Sequence, residues 1–364
     1  MEQTPAVLRI SDPADLAQIV PYLVGFIPED SLVVIATQNR RIQVTARIDL
    51  TDVQPPGAAE NLLDRIRARF PDAEAYTIAY THDPEAAWPI LNRCDAHLPD
   101  GCQTLVIDGD HWQLSDGTRG TIDPYGQVAA TATFHGLQRL ATRAELEARF
   151  ASPPDSPALD QQAAAALAEL PDPDQTDRIL ALTAGLIDQD LPGPDSPPLP
   201  VQDAVQLSVL AQHPAARDLA LASIDRDNAE AHLQLWQDVI RHSPAYGADM
   251  ALYLAGMAAW ISGDGASANI ALERSLNAEP AAAAPHPARL LEGIIDNVVP
   301  PTAWPRLRQD ILDHAHPAVK QALDHTRTPI DPTPTKGWPP AAPAATPQRP
   351  EQTRRTPPAP GIAI

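Results

Sequence analysis

Five polar residues flank two strand-like runs in a way that could do chemistry. Glu29, Asp30 and Ser31 stand just before the first run, and Arg47 and Asp49 end the second. If the two runs pair as an antiparallel hairpin, all five meet at one end of it. Carboxylates there could hold Mg²⁺ together with substrate phosphates, and Arg47 could clamp an anion. The same residues also make an Arg–carboxylate brace that fixes a turn. Ser31 lacks a G-x-S-x-G elbow, so a hydrolase nucleophile is not supported. A second set, Asp108, Asp110 and His111, places carboxylates beside an imidazole at a strand end, which suits metal binding or acid–base work. Asp-Gly-Asp between two strands is equally ordinary hairpin chemistry. Thr77, Tyr80, Thr81 and His82 add hydroxyls and an imidazole near another strand end.

The elements that must position these groups are legible. Residues 31–36 form a short β-branched apolar run, as in a buried strand. Ile42, Val44, Ala46 and Ile48 alternate with Gln43, Thr45, Arg47 and Asp49, the period of a strand with one buried face. Gly25 can take a positive φ and Pro28 restrains Ile27, so the turn between them aims residues 29–31 at the mouth of the first strand. The preceding helix is expected to end near Pro21.

The stretch P-Y-L-V-G-F-I-P-E-D-S-L-V-V at residues 21–34, followed by A-R-I-D-L at 46–50, resembles the signature of an actinobacterial family known as domain of unknown function 4192. The segments A-A-W-I-S-G-D-G-A at 258–266 and A-L-E-R-S-L-N-A-E-P at 271–280 resemble its C-terminal signature. The resemblance covers roughly residues 6–305. It implies an intracellular bacterial protein and carries no assigned activity. Members of that family often have a Trp-containing strand and then a cysteine-bearing loop. Here His111-Trp112-Gln113-Leu114-Ser115 is followed by Asp116-Gly117-Thr118, so the loop lacks the cysteine that a metal or redox role there would use.

Charge narrows the function classes. Residues 1–150 hold 12 basic and 21 acidic groups, residues 151–325 hold 9 and 24, and residues 326–364 hold 5 and 2, for a net charge of −21. Both prospective folded parts are acidic, which opposes nucleic acid and anionic membrane surfaces as partners. Arg65, Arg67 and Arg69 read as the solvated face of a helix. Cys94 and Cys102 are not a C-x-x-C pair and lack a second ligand cluster, so they make no zinc site. Two unpaired thiols fit a reducing cytosol. The N-terminus lacks the basic and apolar regions of a signal peptide. The longest apolar run, 250–261, is too short to span a bilayer. A cytoplasmic protein is the expectation. No Walker A, G-x-G-x-x-G, H-E-x-x-H or EF-hand pattern occurs, and no cofactor is implied.

In order, the pattern predicts a short strand at 7–10 and a helix capped by Ser11 or Asp12. The hairpin follows, then a helix at 58–70, a strand at 75–80, a helix at 83–97 and strands at 103–108 and 111–114. That order predicts an α/β domain of two or three layers with a mixed sheet over residues 1–150. Thr142 and Glu145 form a capping box for a helix at 142–150. Residues 151–200 read as a Pro-rich connector with helices at 161–170 and 176–188. Residues 201–325 are helical throughout, with breaks that predict antiparallel helical hairpins. Gly256, Ala268, Leu272, Ser275 and Pro280 fall at the spacing of one tetratricopeptide unit, although one unit alone does not make an array. Trp236, Trp260 and Trp304 are expected to anchor the helical core. Residues 326–364 contain 11 Pro and predict a disordered tail.

The leading functional expectation is a non-enzymatic interaction or regulatory protein that meets a protein partner through the helical module. The alternative is an enzyme or small-molecule binder, for an anion or a metal–phosphate, at the strand ends of the α/β domain, with Glu29, Asp30, Ser31, Arg47, Asp49, Asp108 and Asp110 as candidate residues.

Overall fold

The computed structural model describes residues 7–8, 10, 12–39, 41–98, 103–134, 138–154, 156–193, 196–244, 247–278, 286–326 and 362–363. The first half runs β1 (Val7–Leu8), α1 (Pro13–Leu23), β2 (Ser31–Gln38), β3 (Arg41–Asp49), α2 (Leu50–Val53), α3 (Ala58–Arg69), β4 (Glu74–Tyr80) and α4 (Pro84–Asp95). It continues with β5 (Gln103–Asp108), β6 (His111–Leu114), β7 (Arg119–Thr121), α5 (Gln127–Phe134) and α6 (Arg143–Ala148). With β8 (Ile362–Ala363) the strands form one mixed sheet in the order β1-β8-β3-β2-β4-β5-β6-β7. Among the described strands, β4–β5 and the single β3–β8 pair are parallel and the other pairings are antiparallel.

Three layers result. Leu32, Val34, Ala36, Ala79 and Val106 point to one face, where α3 and α4 pack with Leu63, Ile66, Ile90 and Leu91. Val33, Ile35, Ile78, Tyr80, Leu105 and Ile107 point to the other, against α1 and α5. The side-chain period of two sends alternate residues of each strand to opposite cores, which is why the central strand β2 is buried along almost its entire length.

The β2–β3 hairpin has the expected register, with Ser31 opposite Asp49 and Val33 opposite Arg47. One detail differs. A bulge at Ala36/Thr37 pairs Val44 with Ala36 but Ile42 with Thr37. An extra residue flips the face of what lies beyond it. Val44, Ala46 and Ile48 therefore pack on the α3–α4 core, whereas Ile42 packs on the α1–α5 core.

Helix α1 also departs from expectation. It starts at Pro13, with Asp12 Oδ1 accepting from Asp15 N at 2.9 Å, and runs through Pro21 to Leu23. A proline at position 21 cannot donate to the carbonyl of Ala17. The Tyr80 hydroxyl donates to that carbonyl instead, at 3.1 Å, so the helix keeps its turn and is tied to the end of β4. Thr142 caps α6 by accepting from Glu145 N at 3.2 Å, but Glu145 Oε2 takes the amide of Ala141, one residue before the cap.

The remainder is helical: α7 (Pro157–Glu169), α8 (Thr176–Asp190), α9 (Val201–Leu210), α10 (Pro214–Ser223), α11 (Ala229–His242), α12 (Asp249–Ser262), α13 (Gly265–Ala278), α14 (Ala288–Asp296), α15 (Trp304–His314) and α16 (Pro317–Thr326). Helices α12 and α13 form a tight hairpin at the centre. Gly263, with φ +97°, ends α12 in a left-handed cap. A side chain at Gly256 would strike Leu291 Cδ2 at 2.6 Å and Ala271 Cβ at 3.3 Å, so the close approach of α12, α13 and α14 needs a glycine there. Trp236, Trp260 and Trp304 all lie in this core. Trp260 Nε1 donates to Val299 O at 3.0 Å and Trp304 Nε1 to Ile224 O at 2.9 Å, with the two rings edge to face.

Phe26, Leu146 and Phe150 from the first half belong to the same apolar cluster as α11–α14. Val298, from the helical half, belongs to the α3–α4 core. Helices α7 and α8, placed by the sequence in a connector, pack against α9 and against α10 and α16. The expected disordered tail lies outside the described residues, apart from Thr326, the last residue of α16, and Ile362–Ala363. Among the described residues no helix is long and apolar enough to cross a membrane.

Candidate functional site

The polar residues of the hairpin end divide into two groups with different surroundings. The first is built around Arg47. Helix α13 packs near β3, and the Arg47 side chain is 12% exposed. A guanidinium enclosed in that way needs partners for its donors. Nε donates to Ser31 Oγ at 2.8 Å, Nη2 lies 2.6 Å from Asp49 Oδ1, and the group stacks on Phe26 at 5.7 Å from the ring centre. Ser31 Oγ in turn donates to Glu29 O. Asp49 Oδ2 also lies 3.7 Å from Arg143 Nη1, and Arg143 reaches Glu147 at 2.7 Å and Glu273 of α13 at 3.0 Å. Burial opposes the charge on Arg143, but the carboxylates of Glu147, Glu273 and Asp49 outweigh it and hold the guanidinium's pKa above its ordinary value. Ser31, Arg47, Asp49 and Arg143 thus join the sheet to the helical half.

The second group lines a cleft of about 270 Å³ between α1, the ends of β4 and β5 and the start of α5. Because β2 runs antiparallel to β4, the start of β2 lies at the carboxyl ends of β4 and β5, the usual ligand crevice of an open α/β sheet. Glu29, Asp30 and Asp110 reach the cleft; Ser31, Arg47, Asp49 and Asp108 are not among its lining residues. Asp30 has a left-handed backbone, φ +39°, a conformation Asp and Asn tolerate better than most residues. The turn is pinned twice: Leu50 N donates to Asp30 O at 2.8 Å, and Thr81 Oγ1 donates to Asp30 Oδ1 at 3.0 Å. His82 lies beside it, with Nδ1 2.7 Å from Asp108 Oδ1. That hydrogen bond, then the Asp108 charge and those of Asp30 and Glu29, raise the His82 pKa above its ordinary value.

Asp110 follows Gly109 in the two-residue turn between β5 and β6. Gly109 has φ +59°, as a primed hairpin turn needs at its first central position. His111 lies 2.6 Å from Asp110, and both are exposed. No group of three or more His, Cys, Asp or Glu residues suited to a metal occurs among the described residues.

Three cleft residues were not found from the sequence. Gln18 is buried and Tyr22 half-buried on α1, and Arg139 stacks over Tyr22 at 5.4 Å. Arg139 is placed by its neighbour: Leu140 N donates to Gly25 O at 2.8 Å and Ile27 N to Leu140 O at 3.2 Å. More than a hundred residues separate Arg139 from α1, and no local pattern announces that pairing.

A three-layer α/β unit carrying a strand-end cleft and braced to a helical half is the class of protein that the fold and the site define. Residues 13–302 match the family described as Domain of unknown function (DUF4192), and the chain belongs to that family. No curated protein and no solved structure matches the chain.

Proposed function

We propose that the protein is a non-enzymatic binder of a small polar molecule, held in the cleft at the carboxyl ends of β4 and β5. The carrying observation is the cleft itself, whose rim brings charges of both signs, Glu29, Asp30 and Asp110 with Arg139, beside an apolar wall of Ile27, Ile107 and Ile122. The hydroxyls near it support binding over catalysis. Ser31 Oγ is engaged by Glu29 O and Arg47, and Thr81 Oγ1 by Asp30 and by Asp83 N. A nucleophile beside the His82–Asp108 pair would need a free hydroxyl or thiol. A regulatory role is supported by the shared turn: residues 29–31 touch the cleft on one side and the Arg47–Arg143 brace to α13 on the other.

The test is a thermal-shift screen of the full chain against amino acids, amines, nucleotides, sugar phosphates and Mg²⁺. A ligand of the folded state raises the melting temperature by mass action, worth about 2.7 kcal/mol at a hundredfold excess over Kd. The expected result is a shift lost in Asp30→Asn and kept in Asp49→Asn. A shift unaffected by Asp30→Asn, or no shift with any compound, contradicts the reading.

A second reading is that the helical half is tetratricopeptide-like and docks a protein. The close packing at Gly256 supports the resemblance of α12 and α13 to such a unit. Helix α12 is buried from Met250 to Ile261, so a partner would meet the outer helices and not a groove on this hairpin. Alanine substitutions across the exposed faces of α7, α9 and α15 that leave every partner captured from lysate still bound would refute it.

A further inference from the structure

We infer that the ligand of the cleft is a zwitterion of the amino-acid type, its ammonium received by Glu29, Asp30 and Asp110 and its carboxylate by Arg139 and Gln18. This rests on the cleft reading above and gives that site its ligand class.

The first argument is that the cleft lining carries both carboxylates and cationic or amide donors. The carboxylates come from turns at the strand ends, before β2 and between β5 and β6. The donors come from Gln18 on α1 and from Arg139, which stacks on α1 through Tyr22. A ligand with two anionic groups would face three carboxylates, and one with two cationic groups would face Arg139. A molecule with one charge of each sign satisfies both sets of residues.

The second argument is Gln18. It is 9% exposed, and its Oε1 accepts from Ala129 N at 3.4 Å. Its Nε2 donors have no protein partner among the described residues, while the residue lines the cleft. The Nε2 group is therefore open to the cleft, where it can donate to a ligand acceptor. Gly126 makes room for it: a side chain there would meet the Gln18 amide at 2.7 and 2.8 Å. Arg139, which is exposed, also has donors to spare. It forms no ion pair among the described residues, although carboxylates line the same cleft, and its stacking on Tyr22 leaves its edge donors for a ligand carboxylate. The apolar wall of Ile27, Ile107 and Ile122 would receive an apolar side chain.

The experiment is isothermal titration of the full chain with L-leucine, isopentylamine and 4-methylpentanoate, which share one carbon skeleton and differ in the two charged groups. L-leucine should bind, and each analogue should bind at least about tenfold more weakly. Arg139→Gln should abolish the preference for leucine over the amine by weakening the binding of leucine. Asp30→Asn should abolish the preference over the carboxylate. Arg139 is exposed, and Asn tolerates the backbone of residue 30, so both variants should melt like the wild type. The inference is overturned if the amine binds wild type as tightly as leucine, if Arg139→Gln keeps the preference, or if leucine, methionine and phenylalanine all fail to bind. A nucleotide or sugar that binds in an Asp30-dependent way in that last case would leave the cleft reading standing and remove only the zwitterion.

Discussion

Asp49 pairs with Ser31 at the open end of the hairpin and Asp30 directly precedes that pair, yet the two aspartates answer to different neighbours. Asp49 faces Arg47 and Arg143 in the half-buried seam, whereas Asp30 turns outward through its left-handed backbone and meets Thr81 and the cleft. The composition of the cluster was legible in the sequence, because the spacing of residues 29–31 and 47–49 around a hairpin fixes their proximity. Its division was not, since the direction of each side chain depends on which layer covers each face. His82 offers a direct check on the electrostatics of the cleft. The Asp108 hydrogen bond raises its pKa, so in the folded protein the imidazolium persists above the free value near 6.5. The associated stabilisation is present below that value and is lost as pH rises through the folded one. In Asp108→Asn the imidazole titration followed by NMR should move down toward the free value; an unmoved midpoint would remove Asp108 as the cause.

At the scale of elements, the sequence located most helices and strands because amphipathic period, caps and prolines are local signals. It missed what distant residues supply. The extension of α1 past Pro21 depends on a Tyr80 hydroxyl some sixty residues away, and the face swap at Ile42 depends on a bulge. The seam between sheet and helices gives a stability test. Arg143→Gln removes a guanidinium shared by three carboxylates and should cost about 1–3 kcal/mol in urea unfolding. Gly256→Ala forces Ala271 and Leu291 apart and should cost a similar amount. A neutral result at Arg143 would mean the seam is held by its apolar contacts alone.

For the whole molecule, the two halves share core residues, with Phe26, Leu146 and Phe150 in the helical cluster and Val298 in the α3–α4 core, a point composition could not reveal because each half looks self-sufficient in sequence. A buried histidine in the helical half reports on that structure. Burial lowers the pKa of His232 to about 4, against an opposing pull from Asp225. The unfolded chain therefore takes up that proton first. Its contribution is present above pH 6.5 and lost as pH falls toward 4, a change of roughly 3 kcal/mol. Urea midpoints should fall over that range, and His232→Gln should flatten the slope. An equal slope in the variant would assign the acid sensitivity to other groups.

The central claim is that the charges at the strand ends serve two tasks, a brace and a cleft. The most direct measurement is the melting temperature of wild type, Asp49→Asn and Asp30→Asn, each with and without millimolar L-leucine. The account predicts that Asp49→Asn melts lower than wild type but keeps the ligand-induced rise, while Asp30→Asn melts like wild type and loses the rise. The reverse pattern, or a single variant that loses both, would contradict it.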